Sequence, residues 1–164
     1  MAVKKKLYLE TTIPSYIAAR SSRDIIVLAH QQITQEWWEE SRNNFKLFIS
    51  QIIIEEIKAG DKSVADARFL LIKGLPILDL TDEIEGLASK YMKFLRLPTR
   101  FLRDAFHIAY CVGYQMDYLL TWNCTHLANE IIRNKLHKIN DKLGYSTPAI
   151  CTPEELVSNN NEVI

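Results

Sequence analysis

Glu10, the pair Glu55 and Glu56, Asp104 and Asn123 are the residues whose types and placement could do chemistry. Glu10 closes the apolar run Leu7-Tyr8-Leu9, and the Glu pair lies in the segment that follows Phe45–Ser50. Asp104 opens an apolar stripe made of Phe101, Leu102, Ala105, Phe106, Ile108, Ala109 and Val112. Asn123 follows Tyr118-Leu119-Leu120-Thr121-Trp122. If the apolar runs are parallel strands, ligands gather at their carboxyl ends, and all of these positions belong to that rim. Carboxylates brought together repel unless protons or cations neutralise them. Oxygen donors without a cluster of His or Cys suit Mg²⁺ or Mn²⁺, and such an ion activates water beside a phosphate.

Glu55 and Glu56 cannot both point inward, because helix neighbours diverge by about 100°. With Ile53 and Ile57 inward, Glu56 falls at the edge of the apolar stripe, a mild preference over Glu55. Each position also has a plainer reading. Glu10 alone would be a solvated strand end, Asp104 a partner of the helix dipole, and Asn123 a turn or cap residue. His107 stands three residues after Asp104 and reads as a packed core histidine, and His126 as a polar residue at a helix start. Tyr8, Trp37 and Trp38 read as core rather than as stacking platforms for bases.

The elements that must position these residues alternate. Strands are expected at Leu7–Leu9, Phe45–Ser50, Pro76–Leu80, Tyr118–Trp122 and Ala149–Cys151. Helices are expected from Pro14 to Ala19, from Asp24 through Ile25, Ile26, Leu28, Ala29, Ile33, Trp37 and Trp38, from Ser50 to Gly60, and from Ser63 to Ile72. Others run from Asp82 to Phe94, from Phe101 to Val112 with Gly113 as stop, and from Leu127 to Lys138, with a last turn at Pro153. Thr11 or Thr12, Ser50 and Thr81 are the expected caps. Four or five short apolar strands between helices make an α/β domain with a mostly parallel sheet. It is expected to span 1–157 as one unit, with 158–164 a flexible C-terminal tail.

Composition narrows the classes. Hydrophobic residues are 48% of 164, which supports a packed core. Lys plus Arg and Asp plus Glu are 20 each, so broad non-specific nucleic-acid binding is disfavoured while a local basic patch is not. The three cysteines form no C-x-x-C pair, so neither a zinc site nor a disulfide framework is indicated, and a reducing cytoplasm is expected. No run is long enough for a membrane span, and the apolar segment after Lys4-Lys5-Lys6 is too short for a signal peptide. There is no P-loop, no Gly-x-Gly-x-x-Gly and no Gly-x-Ser-x-Gly elbow.

Taken together, LYLETTIPSYI, FISQIIIEEIKAG, RDAFHIAYC and YLLTWNCTHLAN resemble the PIN-domain ribonucleases, the family that includes VapC-type toxins. The resemblance covers Leu7 to Asn129 in the family's order. It implies a three-layer α/β/α sandwich and Mg²⁺- or Mn²⁺-dependent cleavage of RNA. The family's Asp-Thr-Ser/Asn element falls on Glu10-Thr11-Thr12, with Glu where Asp is usual. Its Ser-x5-Glu-x3-Gly pattern selects Glu56, its Asp-Ala falls on Asp104-Ala105, and its fourth acid falls on Asn123. The implied roles are metal ligation by Glu10, Glu56 and Asp104, positioning of water or phosphate by Asn123, and orientation of carboxylates by Thr12 and Thr121. Arg96, Arg100 and Arg103 are the implied phosphate contacts. An RNA substrate, an antitoxin protein and a homodimer are the implied partners. Two other readings compete: a PIN-like module that binds RNA or protein without cutting, and a different Mg²⁺ phosphatase or nuclease on a similar sheet.

Overall fold

The computed structural model describes residues 3–157; the expected flexible tail lies outside the described residues. Strands β1 (Lys5–Leu9), β2 (Phe45–Ser50), β3 (Ile77–Leu78), β4 (Tyr118–Leu120) and β5 (Ala149–Cys151) make one sheet. Its order is β3-β2-β1-β4-β5, and every pairing is parallel. Helices α1 (Thr12–Ala18), α2 (Ile25–Glu36), α3 (Gln51–Lys58) and α4 (Lys62–Ile72) lie in the connections before β3. Helices α5 (Asp82–Phe94) and α6 (Leu102–Gly113) link β3 to β4, and α7 (Glu130–Leu143) links β4 to β5. Right-handed crossovers put α1–α4 on one face and α5–α7 on the other, giving the expected three layers. The packing agrees, with α1 against α2 and α4, and α5 against α6. From β1 the chain builds outward to β3, then returns to add β4 and β5 on the other side. Strand order therefore reverses between β1 and β4, where a crevice opens at the carboxyl ends.

The centre of the sheet is apolar on both faces, as a parallel sheet covered twice requires. Leu7, Tyr8, Leu9, Leu119 and Leu120 are all fully buried. Among the described residues, no helix is long and apolar enough to cross a membrane.

Several elements differ from expectation. Ile25 and Ile26 are 80% and 64% exposed, while Gln31, Thr34 and Trp37 are the buried residues of that segment. Gln31 is accommodated because its amide bonds to the backbone of Ser22 and Arg20. The segment also widens into a π-helical turn at Trp37–Ser41. Strand β3 pairs only over Ile77–Leu78, shorter than Pro76–Leu80, and it is an edge strand. Strand β4 stops at Leu120, and Thr121 and Trp122 turn into the site. Helix α7 starts at Glu130, not Leu127, because Asn129 is its cap and the Leu127 and Ala128 amides bond back to Asn123. Thr81 caps α5 as expected. Thr11, Thr12 and Ser50 cap nothing with their hydroxyls, and the site explains why.

Candidate functional site

Glu10 sits at the reversal point, its amide bonded to the Leu120 carbonyl at 3.0 Å, so β1 and β4 together fix its backbone. The residue is 5% exposed. Three donors converge on one carboxylate oxygen, Oε2: the Thr12 amide at 3.0 Å, the Thr12 hydroxyl at 2.5 Å and the Thr121 hydroxyl at 2.8 Å. Each hydroxyl is itself oriented by a backbone donor. The Trp122 amide donates to Thr12 Oγ1 and the Asn123 amide to Thr121 Oγ1, leaving each hydroxyl hydrogen for Glu10. Oε1 takes no part in these bonds and is the oxygen left for a cation.

Glu56 projects from α3, whose buried face is Ile53, Ile54 and Ile57. Glu55 is exposed, and Glu56 is the one of the pair that meets Thr11 and His107. Thr11 donates a short hydrogen bond to Glu56 Oε2. His107 Nε2 lies 3.2 Å from Glu56 Oε1, and Arg103 Nη1 approaches the same oxygen at 4.0 Å. Burial pushes the Glu56 carboxyl up, but hydrogen bonds from His107 and Thr11 and the charges of His107 and Arg103 outweigh it, holding its pKa below 4.5.

His107 is 1% exposed on the buried arc of α6. It does not bond to Asp104 three residues earlier; it joins Glu56 to the core. Its Nδ1 lies 2.7 Å from the Tyr8 hydroxyl, which lies 2.8 Å from Ser50 Oγ. Since a carboxylate only accepts, the neutral ring carries its hydrogen on Nε2 and Nδ1 accepts from Tyr8. Burial lowers the His107 pKa, yet the Glu56 hydrogen bond and the charges of Glu10, Glu56 and Asp104 raise it above 6.5.

Asp104 lies in the first turn of α6. Asn123 Nδ2 donates to its Oδ1 at 3.2 Å, and His126 Nδ1 lies 3.6 Å from Oδ2. Asn123 Oδ1 in turn accepts the His126 amide at 3.0 Å. Burial lifts the Asp104 pKa above 3.8; His107 and His126 oppose this, and the charges of Glu10 and Glu56 add to it. The three expected carboxylates thus share one electrostatic environment.

One atom each of Glu10, Glu56 and His107 lies within 4.8 Å of the others, a group that does not include Asp104. Both His107 nitrogens are engaged by Glu56 and Tyr8, so the carboxylates are the donors for a metal. Two carboxylates, one with an oxygen outside its hydrogen bonds, and an Asp104 destabilised as an anion chiefly by burial and further by the two glutamates, fit a divalent cation. Asp104 is held beside the group of three by Asn123 and His126. Asp117, at the opposite end of β4, is engaged by the Lys6 amide at 2.8 Å and by Lys5. Of the three arginines, Arg103 reaches the site, Arg100 lies over the Phe101 ring at 4.7 Å, and Arg96 lines a separate groove with Lys90, Lys93 and Lys142.

Sequence reasoning missed Thr11, Ser50 and His107. The signal for His107 was present. An ionisable side chain inside an otherwise apolar arc needs a buried partner, and here Glu56 and Tyr8 bring it from other elements.

No known protein-family profile matches the chain, and no curated protein matches it. Among solved structures, the fold is similar to a chain in the crystal structure of VapBC2 from Rickettsia felis bound to a DNA fragment from their promoter. The TM-score is 0.57 over 89% of this chain and 97% of that chain, at 14% sequence identity. The architecture, a five-stranded parallel sheet between helical layers, is PIN-like. At that identity the likeness carries architecture alone. Within the PIN-like fold, Glu10 ends β1, Glu56 lies in the helix after β2, Asp104 opens the helix before β4, and Asn123 follows β4.

Proposed function

We propose that this PIN-like chain is a metal-dependent endoribonuclease that hydrolyses RNA phosphodiester bonds, and the toxin of a toxin–antitoxin pair. The observation that supports this best is the convergence of Glu10, Glu56 and Asp104 from three separate elements, with Thr12, Thr121 and Thr11 bonded to the two glutamates rather than to helix ends. Glu10, Glu56 and Asp104 would hold Mg²⁺ or Mn²⁺, which supplies a water activated for attack and a positive charge beside the phosphate. The chain's own groups do the rest. Thr12 and Thr121 fix Glu10 so that its second oxygen is available. His107 fixes Glu56. Asn123 fixes Asp104 through its amide and adds no negative charge, so the centre is suited to one divalent ion rather than two. Arg103, exposed beside Glu56, engages the phosphate. Cytoplasmic residence, a homodimer and an antitoxin protein complete the proposal.

The second reading, a PIN-like module that binds RNA or a protein without cleaving, draws on Asn123 at the fourth position. Incubating mixed RNA with Mn²⁺ or with EDTA separates the two. The nuclease reading expects fragments with Mn²⁺ alone, none from Asp104→Asn, and more from Asn123→Asp than from wild type. Intact RNA throughout, together with no heat on adding Mn²⁺, leaves the non-cleaving module.

A further inference from the structure

Two ring clusters flank the carboxylates, and the proposed chemistry uses neither. Beside Glu10, Trp122 lies flat on His30, with centroids 4.0 Å apart and planes 12° apart. Tyr16 stands next to that stack, 6.3 Å from Trp122 and 6.4 Å from His30, its plane tilted by 23° and 20°. The three rings come from α2, α1 and the turn after β4, yet they are nearly parallel. Trp122 is fixed at both ends: its amide donates to Thr12 Oγ1 and its indole donates to Thr34 Oγ1 at 2.6 Å. It is buried, whereas Tyr16 and His30 are only half-buried. Neither the Tyr16 hydroxyl nor the His30 ring nitrogens bond to another described residue. Burial pushes the Tyr16 hydroxyl up, and the charges of Cys124 and Glu10 add to this.

The second cluster stands beside Asp104. The Phe101 ring lies 3.7 Å from that of His126, which contacts Asp104. The exposed Arg100 guanidinium covers Phe101 at 4.7 Å. Unpaired RNA bases stack on aromatic faces and on guanidinium planes, and duplex RNA has no base face to offer.

The geometry points to two nucleobase-stacking subsites, Tyr16 with His30 beside Glu10 and Arg100 with Phe101 beside Asp104, which take unpaired bases on either side of the phosphate at the carboxylates. This rests on the reading of the substrate as RNA. It adds that the chain selects single strands through its rings and not through charge alone, consistent with equal numbers of acids and bases.

The test measures binding in EDTA, where cleavage does not contribute. The probes are a fluorescein-labelled single-stranded RNA of about 12 nucleotides, the same strand annealed to its complement, and the same strand with abasic positions. Wild type is expected to bind the single strand and to bind the duplex and abasic strands weakly. Tyr16→Leu, which keeps apolar bulk and removes the ring, is expected to lose about five- to a hundredfold in single-strand affinity. Tyr16→Phe should bind as wild type, and Phe101→Leu should behave as Tyr16→Leu. Thermal melting of each variant screens for loss of fold, with Tyr16→Phe the fallback comparison. Equal affinity of Tyr16→Leu, Phe101→Leu and wild type overturns the proposal, as does equal binding of base-bearing and abasic strands. Ring-dependent binding without cleavage in Mn²⁺ would sustain the subsites while the nuclease reading fails. Cleavage that ignores the ring variants would do the reverse.

Discussion

Replacing Tyr8 with Phe removes one oxygen from the middle of a buried chain of hydrogen bonds. Tyr8 is fully buried and its hydroxyl contacts both Ser50 Oγ and His107 Nδ1. Ring and volume are retained, so the change isolates the hydroxyl. Two hydrogen bonds are lost, and both partners stay in a dry site. A buried polar group left unsatisfied costs about 1–3 kcal/mol, so Tyr8→Phe is expected to destabilise by about 2–4 kcal/mol. For a chain of this size that lowers the melting temperature by roughly 5–15 °C. An internal control exists in Tyr110, which is equally buried and stacks on Tyr8 with centroids 6.3 Å apart. Its hydroxyl has no hydrogen-bond partner among the described residues. Tyr110→Phe should therefore be neutral or stabilising. Urea unfolding in EDTA, followed by tryptophan fluorescence, measures both. Freed from Tyr8, His107 holds Glu56 less firmly, and Mn²⁺ affinity should fall by about tenfold or more. Equal costs for the two Tyr→Phe changes would show that the chain from Ser50 to Glu56 contributes nothing.

Metal-free stability should depend on pH through the Glu56–His107 pair. The Glu56 contribution is in place above its ordinary 4.5 and is lost as pH falls through its lowered pKa. The His107 contribution is whole below its ordinary 6.5 and is lost as pH rises through its raised pKa. Asp104 acts oppositely to Glu56, since acid relieves its buried charge. Urea midpoints in EDTA should thus be highest between 4.5 and 6.5 and decline in mild alkali, and His107→Gln should flatten that decline. An unchanged decline in the variant would rule out His107 as its source. Thiol reactivity gives an independent check on the core. Burial pushes the Cys111 thiol far up and the Cys151 thiol to about 12, while Cys124 is exposed. An aromatic disulfide reagent should titrate one thiol in the native protein and three in denaturant; fast reaction of a second native thiol would contradict the packing around β5 and α6.

Strands and helices were legible wherever periodicity and burial agree. The apolar runs at β1, β2, β4 and β5 and the stripe of α6 carried the sheet order's essential consequence, a rim with Glu10, Glu56, Asp104 and Asn123 on it. Thr12 and Thr121 do lie on Glu10. What could not be read was competition for hydroxyls. Thr11 and Ser50 stand where caps belong, and helix rules assign them to backbone amides. In the fold Thr11 faces Glu56 and Ser50 faces Tyr8, so distant partners override the local preference. The exposed Ile25 and Ile26 have the same lesson in reverse, since apolar type alone does not say which end of a helix reaches the core.

β1 comes first in the chain but occupies the middle of the sheet, and the hydroxyl that completes the surroundings of Glu10 comes from Thr121, 111 residues later. Domains fold as cooperative units once their chain has emerged from the ribosome, and pairings this distant in sequence form late. A nascent chain that has produced Glu10 and Glu56 still lacks Asp104, Asn123 and the whole of β4. Under the proposed nuclease reading, a centre assembled this way stays inert until β4 has been made, so the messenger and ribosome that make it are spared until then.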